Sequence, residues 1–202
     1  MPATIWAAIN WLFAHLQSRW QPACSTLFDR APRGPSRPRT QTLVAVIPNG
    51  DETMTPFVLR SSLDASHRGA LERLMYFNPR QREAEVGIAD VVDAYGTPII
   101  VGDDTGLHVT VGRRPDAQCL FALASTTAGP TLAGMIVFLR VSIEEMLVLH
   151  VAVADGFGRN RRLSLEVVMA LVGSVREAAH RLRGTKHFRM LYLPGRRMPA
   201  AG

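Results

Sequence analysis

Cysteine and lysine are the scarcest chemistry in this 202-residue chain, and each scarcity excludes something. The two cysteines, Cys24 and Cys119, lie far apart and fit neither a metal-ligand nor a redox spacing, and the six histidines are scattered. Neither a structural zinc, nor a disulfide framework, nor any other metal site is therefore expected, and the chain reads as cytoplasmic and reduced. Lys186 is the single lysine among 23 basic residues, so basic character here means guanidinium. The most apolar N-terminal stretch, residues 5–20, is too short to span a bilayer. It has no basic region ahead of it and no small-residue cleavage site behind it, which argues against a signal peptide.

What remains is the composition of a globular protein, 47% hydrophobic and 20% charged, long enough for one core and an appendage. The net charge of +6 hides a strong asymmetry: residues 1–40 carry +4, residues 41–155 carry −6 and residues 156–202 carry +8. A basic terminal quarter attracts phosphates, whether in nucleic acid, a nucleotide cofactor or an anionic membrane surface, and charge alone does not choose among them.

Residues 1–29 contain an amphipathic helix, with Ile5, Trp6, Ile9, Leu12, Phe13, Leu16 and Trp20 on one face. That face suits packing on the domain, contact with a membrane surface, or association with a partner protein or second copy. Residues 30–41, rich in Pro and Arg, form a linker, and the domain proper covers 42–202. Strands are expected at 42–47 and 56–60. A helix follows from Leu63 to Phe77, with Ser62 as its cap and Asn78-Pro79 as its stop, then a second over 85–95 that turns Ile88, Val91 and Val92 inward. Strands at 98–102, 107–112 and 119–125 follow, the last two read as an antiparallel hairpin. Strands 133–142 and 145–154 form a second hairpin.

The best-defined element is the helix after the sequence Gly156–Arg162. Ser164 is expected to cap it, Val168, Leu171, Val172, Val175, Ala179 and Leu182 make its apolar stripe, and Gly184 ends it. A strand over 187–193 completes a β-α-β crossover whose two strands should be parallel. The fold class is therefore α/β (α+β), a mixed, largely antiparallel sheet. The turn after the first crossover strand brings backbone N–H groups and a positive helix end to one place, and Arg159, Arg161 and Arg162 add full charges there, a combination that suits a pyrophosphate. The acidic turn Asp103-Asp104 is read as a turn and not as a cation site.

This order of elements, with LVLHVAVADGFGRNRRLSLEVVMALVGSVREAAHRLRG at its centre, resembles the GNAT N-acetyltransferase superfamily. The likeness covers residues 56–193 in layout and 145–193 in sequence. The family's turn, Arg or Gln, two residues, Gly, one residue, Gly or Ala, falls on Arg159-Asn160-Arg161-Arg162-Leu163-Ser164, with Arg162 where the family has Gly. The resemblance implies acetyl-coenzyme A as cofactor, held by Val151, Val153, Arg159, Asn160, Arg161, Arg162 and Ser164. It also implies transfer of the acetyl group to an amine, with Glu145 as general base and His150 the second candidate. The family continues past the last strand with a further helix and two strands, whereas nine residues follow Leu193 here, so by the resemblance the acceptor side is incomplete unless a partner chain or the N-terminal helix fills the gap. The alternative is a non-catalytic relative acting as a binding or assembly module through its basic surface, nucleic acid being the less favoured guest.

Overall fold

The structure, a computed structural model, describes residues 43–45, 57–79, 81 and 85–191. The N-terminal amphipathic helix, the linker, Cys24 and Tyr192 lie outside the described residues. Five strands form the main sheet: β2 (Phe57–Arg60), β5 (Gln118–Thr126), β6 (Gly129–Arg140), β7 (Glu145–Val153) and β8 (His187–Met190). The three-residue β1 (Leu43–Ala45) pairs with β2 at one edge. The order is β1-β2-β5-β6-β7-β8, and every pairing is antiparallel except β7 with β8, which is parallel. The fold is α+β, a mixed sheet with a separate β-hairpin, β3 (Pro98–Asp103) and β4 (Gly106–Val111), and three principal helices, α1 (Arg68–Tyr76), α2 (Glu85–Tyr95) and α3 (Arg161–Arg181).

Both faces of the sheet are covered. On one, Leu71, Leu74 and Met75 of α1 join Phe121, Leu123, Met135, Val137, Leu139, Leu147 and Leu149 in a buried cluster that also takes in Leu107, Val109 and Val111 of the hairpin. The residues between them, Ala122, Ile136, Phe138 and Val148, are buried on the opposite face, as period-two alternation requires, where Val167, Leu171 and Val175 of α3 are fully buried. At Gly134 α3 packs tightly on the sheet. A Cβ there would meet Val167 Cγ1 at 2.6 Å, Ala152 O at 2.7 Å and Leu171 Cδ1 at 3.4 Å.

Three sequence expectations are corrected. The strand at 107–112 does not pair with that at 119–125: β4 pairs with β3, and β5 lies between β2 and β6. The tight turn belongs to Asp103–Gly106, where Asp103 Oδ1 accepts from both the amide and the hydroxyl of Thr105 and Gly106 adopts φ +114°. The longer stretch 112–117 instead turns the chain twice, through Arg114 N to Val111 O and Ala117 N to Arg114 O, and sends β5 into the other sheet. Second, Leu63 is not on the first helix. Its N–H and C=O are bonded to Leu107, so α1 starts only at Arg68 and Ser62 caps nothing. Third, β6 begins at Gly129, four residues before the expected Ala133, and hairpins directly with β5 across Thr127-Ala128. The second helix, the β6/β7 hairpin and the parallel β7/β8 pair stand where the sequence places them.

Candidate functional site

Three features converge around β7. The first is its start-to-finish change of neighbour. β7 pairs with β8 from Glu145 to Val148, and the last bond between them is Leu191 N to Val148 O at 3.1 Å. β7 then runs on from Leu149 to Val153, still paired with β6, and no described strand lies against its other edge. Val151 and Val153, expected to hold a ligand by their backbones, are in this open half, though the Val153 carbonyl already accepts from Asn78 Nδ2 at 3.0 Å.

The second is a β-bulge. Phe138 faces Val148 and Val137 faces His150, so Leu149 is the extra residue. Without it, His150 would share a face with Val148 and point toward α3. With it, His150 joins Leu149 on the α1–α2 side, and both line a small apolar cavity of about 60 Å³ with Met75, Gln81, Val92 and Val137. His150 is half-buried, and burial pushes its imidazole down to about 4. Gln81 Nε2 lies 3.3 Å from His150 Nε2 and donates to Leu74 O, also at 3.3 Å. An amide nitrogen can only donate, so His150 Nε2 is the acceptor and the ring is neutral with its proton on Nδ1.

The third is the arginine turn. Asp155–Gly158 form one helical turn, Phe157 stacks edge-on against Phe57 with ring centroids 6.4 Å apart, and α3 starts at Arg161. Asn160 caps the helix: its Oδ1 accepts from Arg162 N at 3.0 Å and Leu163 N at 3.3 Å. The expected cap, Ser164, is instead the fourth helical residue, buried, its own amide bonded to Asn160 O. The first turn holds no acidic residue, and Arg161 and Arg162 stand at the positive end of the helix dipole, where a cation is unfavourable. Two surface pairs partly relieve this, Arg159 with Asp155 at 3.1 Å and Arg162 with Glu166 at 3.0 Å. Arg159 is 80% exposed in its pair, and such pairs contribute little and exchange readily.

The two candidate bases are thus separated. His150 lies in the open half of β7, beside the cavity. Glu145 lies at the other end, where β7 and β8 are joined, with Arg189 Nη1 at 2.9 Å across the parallel pair. Glu144, next to it, pairs with Lys186 at 2.5 Å, and that pairing holds its carboxyl below the usual range. By strand rise, Glu145 is about 26 Å along β7 from Val153, so it and the arginine turn occupy opposite ends of the strand.

Sequence reasoning passed over Gln81, Asn78 and Asp93. Asn78 was legible only as a helix stop, and its buried amide ties the end of α1 to the end of β7. Together with Tyr76, Phe77 and Ile88, these three residues line an open cleft of about 730 Å³ on the α1–α2 side, which shares Gln81, Ile88 and Val92 with the cavity beneath. No helix among the described residues is long and apolar enough to cross a membrane. No protein-family model, curated protein or solved structure matches the chain.

Proposed function

We propose that this chain is an acyltransferase of the GNAT type, taking an acetyl group from acetyl-coenzyme A to an amine. The observation that carries the reading is the half-strand Leu149–Val153, against whose outer edge no described strand lies, followed one helical turn later by a helix start that bears Arg159, Arg161 and Arg162. An extended chain with amide groups, such as pantetheine, can add to a free strand edge, and a pyrophosphate at its far end would meet the arginines. The fit differs from a glycine-rich turn. The amides of Arg162 and Leu163 are already taken by Asn160, so the anion is held chiefly by guanidinium forks, displacing Asp155 and Glu166 from their surface pairs.

In this reading the acceptor nitrogen attacks the thioester carbonyl, the C–N bond forms and C–S breaks, and the nitrogen's proton passes to a base and from it, directly or through solvent, to the departing sulfur, so that coenzyme A leaves as the thiol. His150, held neutral by burial and turned by the Leu149 bulge into the small cavity beside the cleft, is better placed as that base than Glu145, which is tied to Arg189, once Gln81 releases the imidazole Nε2. Because its pKa is low, it is a weak base, and the proton transfer contributes less than a group poised near neutrality would.

One observation favours the alternative, a non-catalytic anion-binding module: Asn160 already satisfies the two helix amides that would cradle a phosphate. Thermal stabilisation by acetyl-coenzyme A, tripolyphosphate and a single-stranded oligonucleotide separates the readings, alongside thiol release from acetyl-coenzyme A with a panel of amines. Acetyl-coenzyme A stabilising well beyond tripolyphosphate, with amine-dependent thiol release, supports the transferase. Equal stabilisation by acetyl-coenzyme A and tripolyphosphate without thiol release supports the module, and salt-sensitive stabilisation by the oligonucleotide alone supports a nucleic-acid partner.

A further inference from the structure

We infer that the cleft between α1 and α2 binds a small apolar amine, an arylalkyl or alkyl ammonium, with its hydrocarbon body on Tyr76, Phe77 and Ile88 and its charge on Asp93. The cleft's volume of about 730 Å³ is that of a small-molecule site. Two aromatic residues at its wall are unusually exposed, Phe77 at 75% and Tyr76 at 47%, and the Tyr76 hydroxyl is anchored to Pro98 O at 3.1 Å, which fixes that ring in place. Among the described residues that line the cleft, Asp93 is the only charged one. Arg113 donates to the Asp93 carbonyl at 2.6 Å and not to its carboxylate, which has no partner among the described residues. Helix α2 itself, EVGIADVVDAY, carries three acidic residues and no basic one, so its field favours a cation over an anion.

A carboxylate or phosphate ligand is disfavoured by that charge, and a sugar by walls made largely of aromatic and aliphatic side chains. An aromatic wall beside an unpaired carboxylate suits an ammonium on a hydrocarbon body, which gains from both the ring faces and the ion pair. The shared lining residues Gln81, Ile88 and Val92 continue from the cleft to the cavity beside His150. The site is therefore the place for the acceptor of the proposed transfer. That role rests on the proposed function, whereas the ligand class rests on the cleft alone.

The test is an NMR or calorimetric titration of the full chain with phenethylamine, its neutral analogue 2-phenylethanol, its anionic analogue 3-phenylpropanoate, and Nα-acetyl-lysine amide, each with and without coenzyme A. The expected result is saturable phenethylamine binding at least tenfold tighter than any of the other three, reduced about tenfold in Asp93→Asn and abolished in Ala89→Trp, which fills the cleft from the exposed face of α2. Equal binding of the three phenyl compounds, preference for the lysine amide, binding unchanged in both variants, or no binding at all overturns the inference. Amine binding without any binding of coenzyme A leaves the cleft's ligand class standing and removes the transferase reading. Binding of coenzyme A without amine binding does the reverse.

Discussion

His150 Nε2 accepts a hydrogen bond from Gln81 Nε2 at 3.3 Å, which with the bond from Asn78 Nδ2 to Val153 O joins the bulged half of β7 to the segment that follows α1. The bond to His150 requires a neutral imidazole. Folding therefore disfavours protonation of His150, whose folded pKa of about 4 lies below the ordinary 6.5. Between those two values the unfolded chain binds the proton and the folded one does not, so stability rises with pH. We expect the full contribution above pH 6.5, and its loss as pH falls from 6.5 toward 4, by up to roughly 3 kcal/mol. Urea unfolding at half-unit steps from pH 4 to 8 reads this directly. His180, lowered by burial and by Arg176, acts in the same sense, so His150→Gln should flatten most of the slope and not all of it. An unchanged slope in that variant would place the pH dependence elsewhere.

Gly134 and Gly173 predict opposite responses to the same substitution. Gly134→Ala drives a methyl group into Val167 and the Ala152 carbonyl, so it should destabilise by about 1–3 kcal/mol through overpacking between β6 and α3. Gly173 lies within α3 with nothing within 4 Å of an added Cβ, so Gly173→Ala should stabilise by roughly 0.5–1 kcal/mol. Denaturant midpoints of the two variants check both signs at once.

Asn160 sets stability against anion binding at the head of α3. Asn160→Ala removes the acceptor for the Arg162 and Leu163 amides and should cost about 1 kcal/mol. The same change frees two donors beside Arg159, Arg161 and Arg162, so the thermal shift induced by tripolyphosphate should grow relative to wild type. A lower melting temperature with a smaller tripolyphosphate shift would mean that Asn160 itself contacts the anion.

The parts of this molecule legible in its sequence are those where local pattern and tertiary packing agree. The stripe from Val168 to Ala179 fits α3, and the long apolar strands around Val141–Glu144 fit a hairpin. The terminal glycine fits as well, since Gly184 adopts φ +88° just past the helix. What escaped depends on distant partners. Leu63 has a helical apolar spacing with Leu71 and Leu74, but its backbone is claimed by Leu107. Ser164 is the expected cap of α3, but Asn160, four residues earlier, holds the extended backbone that precedes the helix, while Ser164 is buried within it. The bulge at Leu149 left no trace in the alternation of LVLHVAV because both faces of β7 are apolar, and with it the orientation of His150 was unreadable. The arginine turn was found because its charges are local. Asp93 was missed because the cleft it lines exists only once α1 and α2 are folded.

We propose that the half of β7 against which no described strand lies and the arginines at the head of α3 form one site for acetyl-coenzyme A. The most direct measurement is a calorimetric titration of acetyl-coenzyme A into the wild-type chain and into the triple variant Arg159→Ala, Arg161→Ala, Arg162→Ala, with circular dichroism to show that both are folded. We predict saturable one-to-one binding to the wild type, weakened at least tenfold in the variant. Absence of binding to the wild type, or an affinity the triple variant retains in full, would rule out that site.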